Sequence, residues 1–598
     1  MLHFRPVVRH TIVGLALTAA VAASLSAQAN MKPLPLKYVG PPTVPAITSG
    51  DLMTRLYKYA DDSMMGRQVG TEYNVKATAY IESEVRRLGL MPAGDNGGYF
   101  QNIGVFHRSF DVASTLTVGA EKFVGGADFV ANTSGPTRRI DNAPVLVWFI
   151  FDTTMVPTPA QFAGKLIALK TAPQPQGADL QAFLKTAAYQ AYLSFLQGRS
   201  GAVGQISLAG DSISAARLKM VTDPAGANTS MPMATGPVAL SVTARVMTAI
   251  LGGPLAGAAS GTIGKPVSAE LRFTDTPRGG RNVVAILPGS DPKLKGEYVA
   301  IGAHNDHIGF GTTAQPIANP GEHDSLRVVN PVMRPAGAEG GRDLRANPIT
   351  PEEWTKINAD IAALRTVYPP RPDTIANGAD DDGSGTVSVL EIAEAFAKGS
   401  IKPKRSILFV WHTGEESGMW GSAFFMDHPT VPRDSIVAQL NIDMVGRGAA
   451  TDVTGQAKAP EGKREGDVLH GGDHYLQLVG SRRLSTELGD LVEKVNTDKK
   501  HGFVFDYNID ADGHQQNIYC RSDHWSYGKW GIPVVFFTTG GHADYHQYTD
   551  EPQYIQYEHM ASVDKLIFDI AVATANLDHR VVVDHAKPNP APAISCKQ

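Results

Sequence analysis

Cysteine is nearly absent: Cys520 and Cys596 are the only two in 598 residues. That excludes a scaffold stapled by several disulfides and a zinc domain built on thiolates, and leaves room for one disulfide. A surplus of either charge is also missing. There are 54 Lys and Arg against 59 Asp and Glu, a formal net charge of −5. The basic excess or stripe of a nucleic-acid binder is therefore not there, and no nucleic-acid partner is expected. Long apolar runs are lacking too. The longest, Thr11 to Leu25, follows Arg5 and Arg9 and precedes Ala27-Gln28-Ala29. A positive start, a short apolar run and a small-x-small site read as a secretory signal peptide over residues 1–29, the run being short for a membrane span. The expectation is an exported protein, periplasmic or secreted, with no membrane span in its mature chain. The sequence carries no signal for oligomeric state.

What is present is apolar material and turns: 43% hydrophobic residues, 60 Gly and 39 Pro. This length suggests two or three domains, or one large domain with an insertion. Residues 30–48 hold five prolines and read as an extended leader. Ser49 starts a helix to about Tyr59, and Ala77, Tyr80, Ile81, Val85 and Leu88 mark a second over Asn74 to Leu88, stopped at Gly89. From Phe106 the texture turns to strands, at Ala143–Phe151, Gly164–Lys170 and Gly201–Leu208, with a helical face through Leu180, Phe183, Leu184, Ala187 and Ala191. Residues 106–265 are taken as a β-rich inserted domain, ended by the glycine-rich stretch Gly252 to Gly264.

Beyond Asn282 short apolar strands (Tyr298–Ala303, Ser406–His412, Ile436–Ile442) alternate with a helix at Thr386–Ala397. The fold class is α/β: a mostly parallel mixed sheet with helices on both faces, formed by residues 49–105 and 266–583 and interrupted by the insertion. Functional groups in such sheets gather at the carboxyl ends of strands. Residues 308–378 form a further long insertion within this domain, long enough to suggest function or disorder. One ordered piece is expected in it, a helix capped by Thr350 with Pro351 and Glu353 behind it. Its arginines, Arg327, Arg334, Arg342, Arg345, Arg365 and Arg371, are interleaved with acids and read as a solvated surface rather than a carboxylate reader. Residues 584–598 are expected to be a flexible tail.

The strand ends carry the chemistry. His304 and Asp306 follow one strand, and Asp380-Asp381-Asp382 precede a helix. Glu415-Glu416 follow SILFVWH, Asp443 ends VAQLNI, and His546 follows IPVVFFTT. Two His and three carboxylates suit zinc, with manganese or cobalt as alternatives. Two metals can share one bridging carboxylate if each takes one His and one further carboxylate, and such a pair clamps both sides of a reacting carbonyl. A spare carboxylate is then needed as general base, and the adjacent glutamates offer one. His307, His412, His470, His474, His501, His514 and His542 read as ordinary surface or core histidines, and Asp523 and His524 as supports.

In this order, AHND, GADDDGSG, GEESGMWGS, NIDMVGR, SDHWSYGKWGIP and YHQYTD resemble the co-catalytic di-zinc exopeptidases, which include bacterial leucyl-type aminopeptidases and glutamate carboxypeptidase II. The resemblance spans roughly residues 49–105 and 266–578. It implies two Zn²⁺ per chain, with Asp381 bridging, His304 and Asp443 on one ion, and Glu416 and His546 on the other. It implies Glu415 as general base, Asp306 orienting His304, Tyr519 on the oxyanion, and a cis peptide between Asp381 and Asp382. The inserted region resembles the protease-associated domain. The implied activity is hydrolysis of peptide substrates, an aminopeptidase being favoured. A carboxypeptidase or dipeptidase shares the same metal site. A receptor-like relative that lost its ligands, or a glutaminyl cyclase-like one, stands further off.

Overall fold

A computed structural model describes residues 34–132, 139–152, 155–170, 183, 186–196, 200–223, 229–231, 237–311, 323–333, 342, 347–366, 372–449, 452–453, 470–514, 516–587, 596 and 598. The signal-peptide reading, much of the tail and three of the six arginines named in 308–378 (Arg334, Arg345 and Arg371) lie outside the described residues.

The main sheet has nine strands. In chain order they are β1 (Met91–Pro92), β2 (Phe100–Asn102), β3 (Arg281–Leu287), β4 (Tyr298–His304), β5 (Ser406–His412), β6 (Ile436–Ile442), β7 (Tyr475–Val479), β8 (Val504–Asp506) and β9 (Val534–Thr538). In space the order is β1-β3-β5-β4-β6-β9-β7-β8, with β2 also on β3. Strands β5, β4, β6 and β9 run parallel, whereas β3 and β7 are antiparallel to their neighbours in that block. Every residue of β5 is buried, which is why SILFVWH reads as a continuous apolar run rather than an alternating one.

Both faces of the sheet are covered, and the strand period of two sorts the side chains between them. Val283, Val299, Ile301, Ile407, Phe409 and Trp411 face one way and join the core made with helices α1 (Ser49–Tyr59), α2 (Glu72–Leu88), α3 (Gly385–Lys398), α4 (Thr486–Asp498) and α5 (Tyr557–Asn576). Val284, Ala300, Leu408, Val410, Val534 and Phe536 face the other way and pack with Phe425, Met426 and Tyr527. Helix α2 starts at its Thr71 cap and stops at Gly89, left-handed at φ 76°, where a side chain would carry a steric penalty. The expected helix after Thr350 is there at Pro351–Leu364, with Thr350 and Glu353 capping each other's backbone N–H groups.

A second sheet of eight strands is drawn from residues 115 to 270. Its order is Glu121–Val124, Thr115–Val118, Ile263–Glu270, Arg139–Phe149, Leu166–Lys170, Gly204–Gly210, Val238–Thr243 and Phe129–Asn132. Leu116, Phe129, Val145, Val147, Leu240 and Val242 are among its fully buried residues. The boundary expected at 265 falls inside the strand Ile263–Glu270, which pairs on both sides and so runs past the glycine-rich stretch. Phe106–Phe110 pairs antiparallel with Phe273–Pro277, bringing the two ends of the intervening segment together. Among the described residues no helix is long and apolar enough to cross a membrane.

Candidate metal centre and cleft

The parallel strands end at one edge, and each end delivers a donor. His304 is the last residue of β4, Glu415 and Glu416 lie just past β5, Asp443 just past β6, and His546 in the loop after β9. Asp381 lies in the turn before α3. That turn opens at Gly378, φ 56°, where a Cβ would stand 2.2 Å from the carbonyl oxygen of Asp381 and 2.5 Å from the His307 ring, so only glycine fits.

The three consecutive aspartates have different tasks. Asp380 Oδ1 accepts from the backbone N–H of Gly446 at 2.6 Å. Asp382 accepts from the N–H groups of His304 (3.0 Å), Gly385 (2.9 Å) and Met444 (3.2 Å). Asp381 ties no loop with its carboxylate and faces the histidines instead. Asp550 holds this turn from behind, accepting the N–H groups of Asp380 and Asp381 at 3.0–3.1 Å. The peptide between Asp381 and Asp382 is cis.

Two donor groups share Asp381. In one, His304 Nε2 is 3.2 Å from Asp381 Oδ1 and 3.7 Å from Asp443 Oδ1. In the other, His546 Nε2 is 3.0 Å from both Asp381 Oδ2 and Glu416 Oε2. His307 joins the second group, its Nδ1 2.8 Å from Glu416 Oε1. Within each group the donor atoms lie within 4.8 Å of one another. His304 Nε2, Asp381 Oδ2, Glu416 Oε1, His546 Nε2 and both His307 nitrogens are buried without a hydrogen-bond partner. Buried polar atoms are seldom left so, and convergent imidazole and carboxylate donors are what zinc takes. The residues present therefore fit a pair of divalent ions.

The electrostatics fit the same reading. Burial would raise Asp381, but the His304 and His546 imidazoles outweigh it and hold its carboxyl well below the usual range. Burial also lowers His546, yet Asp381 and Glu416 lift it to about 10. Glu415 is pushed well above the usual carboxylate range by burial and by Glu416, Asp443 and Asp523, against His304. Asp306 is raised to about 7, chiefly by burial. These directions belong to the chain alone, and a bound cation pulls neighbouring carboxyls down.

Asp306 acts on two partners. Its backbone carbonyl, rather than its carboxylate, lies 3.1 Å from His304 Nδ1. Its Oδ1 accepts the N–H groups of Gly414 (2.7 Å) and Glu415 (3.1 Å), fixing the turn that presents the glutamates. Ser522 is a residue that sequence reading passed over. Its Oγ donates to Asp443 Oδ2 at 2.6 Å and its N–H to Glu415 Oε1 at 3.1 Å, joining base and ligand. Its place directly before Asp523-His524 was the available signal. Asp523 pairs with His412 (3.4 Å), and burial drives His524 down to about 3, so its ring is neutral.

Tyr519 does not face the cleft. Its ring packs in the apolar layer beneath β9, against His524 and Trp525, with the Arg483 guanidinium 4.5 Å from its centroid. Tyr545 is the tyrosine on the cleft, stacked on His546 at 3.9 Å between ring centroids. The backbone explains the exchange: Ile518–Cys520 form a short 3₁₀ turn that points Tyr519 inward, held by the Cys520–Cys596 disulfide and by Gln598, whose Oε1 accepts from the Tyr519 N–H at 3.0 Å. The cleft beside the donor groups has a volume of about 650 Å³.

Residues 364–571 match the model of peptidase family M28. That segment holds Asp381, Glu415, Glu416, Asp443 and His546, and the resemblance to the co-catalytic zinc exopeptidases stands on it. The chain is 27% identical over 208 residues to leucine aminopeptidase 1 of Emericella nidulans, covering 33% of this chain and 47% of that one. It is 41% identical over 91 residues to leucine aminopeptidase 1 of Coccidioides posadasii, 14% and 23% of the two chains. The chain thus spans about half the length, or less, of these curated relatives. Among solved structures, an aminopeptidase from Aneurinibacillus sp. strain AM-1 aligns over 91% of this chain and 97% of its own, at 16% identity and a TM-score of 0.42.

Proposed function

We propose that this chain is an exported metal-dependent exopeptidase, an aminopeptidase that releases N-terminal residues from peptides and holds two zinc ions. The observation that carries the proposal is the sharing of Asp381 between two donor groups, one of them fully buried, with Glu415 near His304, Asp443 and Glu416. His304 and Asp443 would hold one ion, Glu416 and His546 the other, and Asp381 both. When bound, the two ions would supply Lewis-acid polarisation of a scissile carbonyl and a lowered pKa for the attacking water. Glu415 takes the proton of the attacking water and returns it to the leaving amine. Asp306 holds its backbone N–H and the Ser522 N–H holds its carboxylate. Tyr545 takes the oxyanion role expected of Tyr519, because it is the tyrosine that faces the cleft. In this reading the eight-stranded sheet is a protease-associated-like insertion.

Arg521 supports a second reading. It lines the cleft, is exposed, and donates to the Tyr545 hydroxyl at 3.2 Å, a placement from which a guanidinium can hold a substrate carboxylate. A carboxypeptidase would use it so. One peptide in free, N-acetylated and C-amidated forms separates the two. Incubated with zinc-loaded protein and a chelator-treated control, it should shorten from the amino end, and acetylation or chelator should block this. Shortening from the carboxyl end, blocked by amidation, would replace the aminopeptidase reading.

A further inference from the structure

The cleft continues away from the metal-binding residues along the edge of the main sheet. Thr538 ends β9, Gln477 of β7 is paired with it, and Asp506, the end of β8, is paired with Gln477. Directly paired residues point to the same face. The register therefore lays Thr538, Gln477 and Asp506 in a row, starting one strand from Asp443 and advancing about 4.8 Å per strand. All three line the cleft.

This row is polar, buried and incompletely partnered. Gln477 is 3% exposed and its Oε1 has no hydrogen-bond partner, while its Nε2 donates to the Tyr475 hydroxyl. Gly540, at φ 83°, leaves room for that amide, since a Cβ there would stand 2.7 Å from Oε1. Asp506 is 7% exposed. Its Oδ2 accepts from the Tyr475 hydroxyl at 2.8 Å and its Oδ1 from the Asn508 N–H at 2.8 Å. Among the described residues no Lys, Arg or His lies in ion-pair contact with it. Among the described residues, Arg521 is the one guanidinium lining the cleft, and it is engaged with Tyr545 beside His546. A buried carboxylate without a countercharge, and a buried amide oxygen without a donor, are both costly unless a ligand completes them. The walls of the same cleft include Met444, Ile509 and Phe536. Apolar walls with an acceptor-lined end suit a side chain with an aliphatic stem and a cationic tip.

We propose that this pocket receives the side chain of the N-terminal residue and selects lysine or arginine, its cationic tip held by Asp506 and the Gln477 amide oxygen. The inference rests on the exopeptidase reading for the identity of its ligand and names the substrate class of that site. It is tested with the p-nitroanilides of arginine, lysine and leucine on the zinc-loaded protein, and by calorimetry with L-argininamide and L-leucinamide. The expected result is a kcat/KM for arginine and lysine at least about tenfold above leucine, and tighter binding of argininamide. Asp506→Asn should lower the arginine-to-leucine ratio about tenfold or more, and Gln477→Met should move it the same way if the first variant folds poorly. Leucine cleaved as well as arginine, or a ratio unmoved in both variants, would overturn the pocket assignment and leave the exopeptidase reading standing. No cleavage of any anilide, with argininamide bound and weakened by Asp506→Asn, would keep the pocket and remove the aminopeptidase reading. Neither cleavage nor argininamide binding would overturn both.

Discussion

In the eight-stranded sheet, burial leaves out ionisable side chains: among the described residues between 115 and 270, no Asp, Glu, His, Lys or Arg is buried. At the carboxyl edge of the nine-stranded sheet the opposite holds, with His304, Asp306, His307, Asp380, Asp381, Asp382 and His412 all at 3% exposure or less. Desolvating that many ionisable groups is unfavourable unless hydrogen bonds or ions compensate. Loop N–H groups compensate Asp306, Asp380 and Asp382. The donors facing one another across Asp381 have no such compensation, which is the reason for assigning them to metal. One sheet buries no ionisable group among its described residues, and the edge of the other gathers many.

Breaking the edge should have the largest effect. Asp381→Ala removes the shared donor, and kcat/KM on an aminoacyl p-nitroanilide should fall about 10³-fold or more; a loss under tenfold would contradict the sharing. Glu415→Gln should lower kcat by about 10²–10⁴ with metal content by elemental analysis unchanged. If both metal and turnover disappear, Glu415 is a ligand rather than the base. Ser522→Ala removes the hydroxyl held to Asp443 and keeps the backbone N–H on Glu415, and a 10–100-fold loss in metal affinity is expected, read by chelator competition. Acidity tests the same edge. Carboxylates hold the His546 imidazole up at about 10, so the metal-free chain carries a proton there at neutral pH. Metal uptake must displace it, and affinity should rise with pH below that value, by up to about tenfold per unit for one proton released. A pH-independent affinity between 6 and 8 would remove His546 from the ligand set. The smallest effect on catalysis belongs to the other sheet. Leu240→Ala should cost about 2–5 kcal/mol of stability in that sheet by thermal or denaturant unfolding, with kcat/KM and metal content as before.

The legible parts of the sequence were those where a local rule decides the structure. SILFVWH and the run Ile436–Ile442 gave strand boundaries that agree with β5 and β6, because a strand buried on both faces has no polar interruptions. Thr350-Pro351 fixed a helix start through capping chemistry alone. What stayed hidden depends on how loops from different strands meet. Nothing local distinguishes Tyr519, turned inward by a 3₁₀ turn and a disulfide partner 76 residues away, from Tyr545, turned outward beside His546. His307 reads as an ordinary histidine until the loop after β5 sets Glu416 against it. The Gln477–Asp506 row exists only through strand register, which brings residues distant in sequence side by side in space.

The most direct test of the central claim is a metal count on wild type, His304→Ala and His546→Ala, by elemental analysis after equilibration with zinc and removal of excess. Asp381 shared between two independent donor groups predicts two ions in wild type and one in each variant. One ion in wild type, or loss of both from either single variant, would contradict two groups joined at Asp381.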